Sequence, residues 1–441
     1  MKLFKEYAKY TCSNVMGMLG LSCYILADTY FVSKGLGSNG LAALNLAIPV
    51  FSLIRGIGLM LAMGGATRFS ILKCQNAQKQ KDQVFSQTVL LASCFAVLFV
   101  LTGVVGTELL TKLLGANETV YQMCSIYLKV LLLFSPAFLA NDVLICFVRN
   151  DGAPQLAMTA MLTGSFSNIF LDYVFVFLCQ MGIFGAVFAT GLAPMISIGI
   201  LCIYFRPVRT DTQGNVYRKH TFHLVRTRVT LRDTMQIMAG GMPSLAAELS
   251  SGIVIIIFNM IMFSLKGNTG IAAYGVVANL SLVVIAMFTG VAQGIQPVVS
   301  KYYGAKKTEN VKKIFRYAMI TVVVLSELIY GGMFAWSESL ASIFNSEGDV
   351  QLQKIASEGI RLYFTGTIFA GFNIITAIYF TSQDQVKPGN MISLLRGFFL
   401  IIPLAFLLSG LFGMKGLWLT FPLTELLTTM TAAFFLESVN T

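Results

Sequence analysis

Asp28, Asn168 and Asp172 stand inside stretches that are otherwise apolar, residues 10–32 for the first and 156–178 for the other two. An ionised carboxylate near the centre of a bilayer costs roughly 2.5–3.5 kcal/mol on insertion scales. Side chains kept there at that cost face a wet cavity or a partner, which makes them functional candidates. Asn168 and Asp172 are four apart and share one helix face. Thr190 follows eighteen residues after Asp172, and a tight hairpin would return it to the same depth. Carboxylate, amide and hydroxyl oxygens together form a hard donor set suited to Na⁺. Two close carboxylates are equally suited to H⁺, since each raises the other's proton affinity and the pair titrates as a unit.

Such residues need long apolar helices to hold them, and the composition supplies these. The chain has 441 residues, 56% hydrophobic and only 12% charged, with a mean hydropathy of +0.74. A soluble globule carries about 25% charged residues. Hydropathy and loop signals predict about twelve spans: 10–33, 41–70, 84–114, 120–148, 156–178 and 182–205, then 233–264, 272–300, 311–340, 352–382, 390–409 and 413–437. Each is long enough to cross a bilayer. The fold class expected is an all-α polytopic membrane protein. Thirty-nine glycines fit that class, because small residues let membrane helices approach closely.

The net charge of +11 suggests nucleic acid until its distribution is considered. Basic residues gather in alternate loops: Arg68, Lys73, Lys79 and Lys81; Arg206, Arg209, Arg218, Lys219, Arg226, Arg228 and Arg232; and Lys301, Lys306, Lys307, Lys312, Lys313 and Arg316. The intervening loops are poor in Lys and Arg and hold Glu118, Glu338, Glu347 and Asp349. This positive-inside pattern predicts a plasma (inner) membrane protein with both termini cytoplasmic, and no nucleic-acid partner. The first span carries Asp28 and lacks a small-x-small cleavage site, so it reads as a retained helix. Eight scattered cysteines without a CxxC predict packing residues, not a disulfide framework or zinc site. His220-x2-His223 has no third ligand nearby, so no metal is expected there.

The two halves echo each other. Gly40-Leu41-Ala42-Ala43 is answered by Gly270-Ile271-Ala272-Ala273, and Gly182-x2-Gly185-x8-Pro194 by Gly410-x2-Gly413-x8-Pro422. Pro154 is answered by Pro388. The same order throughout predicts a duplicated six-helix unit: a first lobe over 1–205, a polar connector over 206–232 and a second lobe over 233–441. Six is even, so the copies share an orientation and the route for cargo runs between pseudo-symmetric lobes. Prolines at 49, 136, 194, 243, 297, 403 and 422 are free to bend their helices.

Other polar residues fall inside spans. Arg55, Lys129 and Asp142 are expected to pair or to reach an interface, with Asp142 the one most suited to line a cavity. Glu248 suits a counter-charge for cargo. Gln293, Gln296 and Asn373 complete the cavity candidates, the two glutamines serving either the route or bonds across helices. Glu327 and Glu425 read as helix-packing or interfacial groups. The methionines (Met60, Met63, Met158, Met161, Met195, Met260, Met262, Met287) read mainly as core filling, though with Phe they can make an adaptable binding surface.

At several of these positions the sequence resembles the multidrug and toxic compound extrusion (MATE) family: Ala27-Asp28-Thr29-Tyr30-Phe31-Val32, Asn168-x3-Asp172, Thr190, Gln293-Gly294-Ile295-Gln296-Pro297 and Gly304-Ala305. The resemblance covers essentially the whole chain. It implies a V-shaped pair of six-helix lobes, working as a monomer in the bilayer of a prokaryote. It implies export of small, amphipathic, mostly cationic drugs in exchange for Na⁺ or H⁺, with no other cofactor. It maps Asp28, Asn168, Asp172 and Thr190 onto a cation site in the first lobe. Relatives with a coupling glutamate in the seventh helix place it a turn further from the proline than Glu248 lies from Pro243. The tenth helix offers Asn373 where they have a carboxylate, which argues against a second cation site.

Two other classes compete. A lipid-carrier flippase of the wider superfamily would need arginines in its cavity, and only Arg55 and Lys129 are suited to that. A membrane enzyme would need a nucleophile–base pair, a metal cluster or a phosphate loop, and none is evident. No GxxxxGK[ST] loop is present to couple ATP.

Overall fold

The first helix runs from Lys2 to Gly37 and the second from Asn39 to Cys74, and the chain reverses between them at Gly37, whose φ of 66° only glycine adopts without strain. The same device recurs. Gly267 (φ 59°) breaks Leu231–Gly304, Gly413 (φ 57°) breaks Ile401–Asn440, and Gly182 (φ 61°) opens the helix after Asp172. Each of these glycines has another three residues later, at Gly40, Gly270, Gly416 and Gly185. A side chain at Gly270 or Gly416 would collide with the carbonyl of Met262 or Leu408 on the preceding helix. One glycine turns the chain and the next makes room for its return.

This is a computed structural model, and it describes residues 2–205, 207–210, 216–218, 221–228, 230–345 and 348–440. Arg206, Lys219, His220 and Glu347 of the charge and histidine readings lie outside these residues. Among the described residues, nine helices are long and apolar enough to cross a membrane. They become ten when Glu118–Leu133 and Ser135–Asn150, bent by 46°, are taken as one. Two of them, Leu231–Gly304 and Val386–Ser438, are far longer than the ~20 residues a bilayer requires. Divided at Gly267 and Gly413, the ten become twelve.

These are α1 (Lys2–Gly37), α2 (Asn39–Cys74), α3 (Gln78–Val105), α4 (the bent pair), α5 (Pro154–Leu178) and α6 (Gly182–Phe205). Then come α7 and α8 (Leu231–Gly304, before and after Gly267), α9 (Thr308–Ala335), α10 (Val350–Thr381), and α11 and α12 (Val386–Ser438, before and after Gly413). Thr107–Leu113 and Ser337–Phe344 are short connecting helices. The protein is an all-α, polytopic membrane protein. A small sheet in the connector pairs Pro207–Thr210 antiparallel with Val216–Arg218.

The positive φ at Gly413 corrects one detail of the internal echo. Gly182-x2-Gly185 is answered by Gly413-x2-Gly416, not by Gly410-x2-Gly413, because Gly410 lies within a helix while Gly413 makes the turn. The pairing of Pro194 with Pro422 therefore slips by three residues.

α1 and α2 pack closely along α7 and α8 on the connector side. A methyl group at Gly241 would overlap the Met60 carbonyl, and one at Gly294 would lie 2.7 Å from Thr11 Cα. The connector is itself held: Asp151 accepts hydrogen bonds from Tyr204 Oη (3.0 Å) and from the Thr221 backbone N–H (2.7 Å), and it pairs with Lys73. Phe222, 1% exposed, inserts among Phe69, Phe85 and Phe147.

Candidate functional site

Asp28 on α1 and Asp172 on α5 turn their carboxyl groups toward each other. Both are buried, with Asn168 and Asp172 at 0% exposure. Oδ1 of each aspartate is enclosed without a hydrogen-bond partner among the described residues. With its amide turned to the orientation that satisfies both of its ends, Asn168 serves two neighbours at once: its nitrogen donates to Asp172 Oδ2 at 3.1 Å and its oxygen accepts from the Thr190 backbone N–H at 3.2 Å. Thr190 Oγ1 lies 3.5 Å from the Asn168 amide and donates to the Ala186 carbonyl at 3.1 Å. The four residues named from the sequence thus form one cluster drawn from three helices.

Small residues bring those helices together. On α1, Gly17 and Gly20 lie under Met161 and Leu162 of α5, where a β-carbon would come within 2.9 and 2.6 Å. Immediately after Asp172 the helix widens into a π-helix, Tyr173–Leu178. That local change of register sits beside functional groups in many helices. Tyr127 of α4 joins the cluster, its side chain beside Thr190 and 5% exposed. Sequence reasoning passed over it, because a tyrosine in an apolar helix reads as packing and nothing local marks its neighbour. Two enclosed carboxylate oxygens with an amide and a hydroxyl make a donor set that fits Na⁺ or a shared proton. Among the described residues there is no cluster of three or more His, Cys, Asp or Glu suited to a metal ion. His223 instead lies 3.6 Å from Asp82.

Three adjoining cavities of about 60, 170 and 120 Å³ run from this cluster toward the second half. The first is lined by Thr190, Asp142, Arg55 and Gln293. Thr190 therefore belongs both to the carboxylate cluster and to a cavity wall. The middle cavity lies between α1 and α2 on one side and α7, α8, α10 and α11 on the other, with Arg55, Glu248, Gln293 and Arg396 on its wall. Asp142 pairs with Arg55 (Nη1–Oδ1 3.7 Å) as expected. Glu248 is half-buried and has no ion-pair partner among the described residues. Lys129 stays exposed and joins neither Arg55 nor Asp142. Of the methionines named from the sequence, Met60, Met63 and Met262 fill the core, and Met161 lines the first cavity.

Gln293 and Gln296 divide their work. Gln296 exchanges two hydrogen bonds of 3.0 Å with Asn150 and donates to Thr67 Oγ1 at 2.9 Å. Gln293 lines two cavities and also accepts from Arg149 Nη1 at 3.3 Å. Arg149, 1% exposed, donates to Asn14 Oδ1 at 2.6 Å as well, and among the described residues none of its partners is a carboxylate. Asn373 does not line the cavities. It is buried on α10 and donates to Glu425 Oε2 (2.7 Å), while Arg396 holds the same carboxylate from the other side (Nη2–Oε1 2.6 Å). The sequence reading missed Arg149 as a buried cation, since it lies near a helix end where arginine ordinarily reaches water. It also passed over Arg396, which falls inside the predicted span 390–409 and is half-buried.

The family described as MatE matches the chain over residues 15–174 and 243–407, once in each half. Among curated proteins, the multidrug export protein MepA of Staphylococcus saprophyticus is 24% identical over 415 residues, 94% of this chain and 89% of that protein. MepA of Staphylococcus aureus is 21% identical over 98% of this chain and 92% of its own length. Among solved structures, an outward-facing multidrug resistance MATE family transporter superposes with a TM-score of 0.89 at 21% identity, covering 98% of this chain and 94% of that one. A MOP superfamily transporter from Pyrococcus furiosus, reported with reversed polarity in its binding pocket, superposes at 0.88 with the same identity and coverage. With family matches in both halves and a fold shared along nearly its whole length, the chain belongs to the MatE family of multi-pass membrane transporters.

Proposed function

We propose that the protein is a multidrug exporter that moves amphipathic, mostly cationic compounds out of the cell in exchange for Na⁺ or H⁺. The observation that carries this reading is the buried Asp28–Asp172 pair, which Thr190 joins directly to the cargo cavity. Two facing carboxylates need a positive charge, so occupation by a cation and a change of cavity shape are linked through the same helices. The multidrug export role of the MepA relatives supports the cargo class. Glu248, the carboxylate on the wall of the central cavity, receives the positive group of the cargo.

The basic connector supports a cytoplasmic position for the closed end of the cavity and for both termini. In this conformation the Arg149–Asn14–Gln293 and Asn150–Gln296–Thr67 contacts shut that end, so the lobes rock apart there to load cargo. The flippase reading is weaker. Arg55 is paired with Asp142 and Arg396 with Glu425, and Glu248 leaves the cavity wall net negative, which disfavours a pyrophosphate head group with its several negative charges.

The test is efflux of ethidium from proteoliposomes under separate Na⁺ and proton gradients. Export under one of them, lost in Asp28→Asn and Asp172→Asn while both variants remain folded in the membrane, is the expected result. Wild-type efflux by both variants would remove the pair from the mechanism.

A further inference from the structure

Each half carries one arginine on the wall of the central cavity, and the two are not alike. Arg55 Nη1 lies 3.7 Å from Asp142, a loose pair. Arg396 commits Nε and Nη2 to Glu425 at 2.6–3.3 Å, and its Nη1 makes no hydrogen bond among the described residues. Glu425 is positioned on its far side by Asn373, which in turn accepts from Thr429. That chain of contacts holds the guanidinium at the wall shared by the 170 and 120 Å³ cavities. The smaller of these adds hydroxyls from Ser281 and Tyr363, 3.5 Å apart, and an aromatic face in which Tyr363 stacks on Phe421.

The second half has no counterpart of the exchangeable-cation site at the matching positions. The glycine turns align Gly37 with Gly267 and Gly182 with Gly413, which sets Phe258 at the place of Asp28 and Phe421 at that of Thr190. The second half carries instead a half-buried guanidinium fixed to the chain, with one edge held by the buried Glu425 and the other edge open. A planar cation presented in that way, beside hydroxyls and an aromatic wall, matches a carboxylate. Glu248 on the same central cavity offers the opposite charge.

We infer that Arg396 is a carboxylate subsite, so that the cavity holds cargo bearing both charges, with the cationic group toward Glu248 and the carboxylate on Arg396. This rests on the exporter reading and names the residue that receives the anionic group of such cargo. Arg396 then sets specificity, while Glu425 holds one edge of its guanidinium and competes with the cargo carboxylate for its charge.

A rhodamine free acid and its methyl ester form a matched probe pair, differing only in the carboxylate. Their affinities are read by fluorescence polarisation on purified protein in nanodiscs. The wild type is expected to bind both. In Arg396→Gln the free acid should lose about tenfold in affinity, the scale of a charged hydrogen bond, while the ester keeps or gains affinity because Glu425 has lost its partner. The double variant Arg396→Gln/Glu425→Gln avoids a lone buried carboxylate and should show the same selective loss. Glu425→Gln frees the guanidinium and should tighten the free acid alone. Equal changes for acid and ester in the double variant, or no gain for the acid in Glu425→Gln, would overturn the subsite. Failure of the wild type to bind or move the ester would instead count against the exporter reading.

Discussion

Asp28 and Asp172 were readable from the sequence because a carboxylate in an apolar run is costly and must have a use. What the sequence could not show is that the two carboxyl groups meet, each with an enclosed Oδ1, and that Asn168 bridges Asp172 to Thr190. Tyr127 was invisible for the same reason, lying 63 residues before Thr190 in the chain with no motif linking them. Its hydroxyl supports the cluster from outside the donor set. Tyr127→Phe should therefore raise the half-saturating concentration of the driving cation about tenfold, the usual scale for a supporting contact, and leave maximal efflux nearly unchanged. Counterflow assays across a cation series measure both. A fall in the maximal rate with no change in half-saturation would place Tyr127 in the cargo step instead.

Most helix ends were legible to within about five residues, since apolar runs and basic loops mark them. The exceptions are α1, which begins at Lys2 where residue 10 was expected, and α3, which runs Gln78–Val105 where 84–114 was expected. The turns between helices were only partly legible. The sequence contains two overlapping Gly-x2-Gly pairs around 410–416, and only backbone conformation tells which one turns the chain. Gly410 is helical with open space at its β-carbon, whereas Gly413 has positive φ and Gly416 abuts the Leu408 carbonyl. Gly410→Ala should leave thermal stability unchanged or slightly raised. Gly413→Ala should cost about 1–2 kcal/mol, the penalty of a left-handed backbone, and Gly416→Ala should cost as much or more through backbone overlap. Melting temperatures in one detergent rank the three. The connector offers a second test at this scale. Asp151→Ala removes the acceptor of Thr221 and Tyr204, so limited proteolysis within 221–228 should quicken severalfold.

Across the molecule the two halves meet most closely on the connector side, where glycine backbones touch and a polar seal crosses the interface. Arg149 is a cation in that seal, held by neutral acceptors. Weakening the seal shifts the population toward the conformation open on the connector side, to the extent that the seal favours the closed one. Gln296→Ala removes three hydrogen bonds shared with Asn150 and Thr67. Ser300, fully buried nearby on α8, reports the opening. In a cysteine-free background carrying Ser300→Cys, maleimide labelling from the connector side should accelerate severalfold on adding Gln296→Ala. An unchanged rate would mean that glycine packing alone keeps that face shut.

The class, the spans, the duplication and the costly carboxylates could all be read from the order of residues, because hydropathy and buried charge are local properties set residue by residue. Who meets whom was a matter for the assembled fold. Asn373 reads alone as a cavity amide, yet it spends its hydrogen bonds on Glu425, 52 residues away. Arg396 falls inside a predicted span without a motif to mark it, yet it stands on the wall of the central cavity. Pairings of that kind depend on where the glycine turns return each helix, and a shift of three residues at one turn exchanges every partner beyond it.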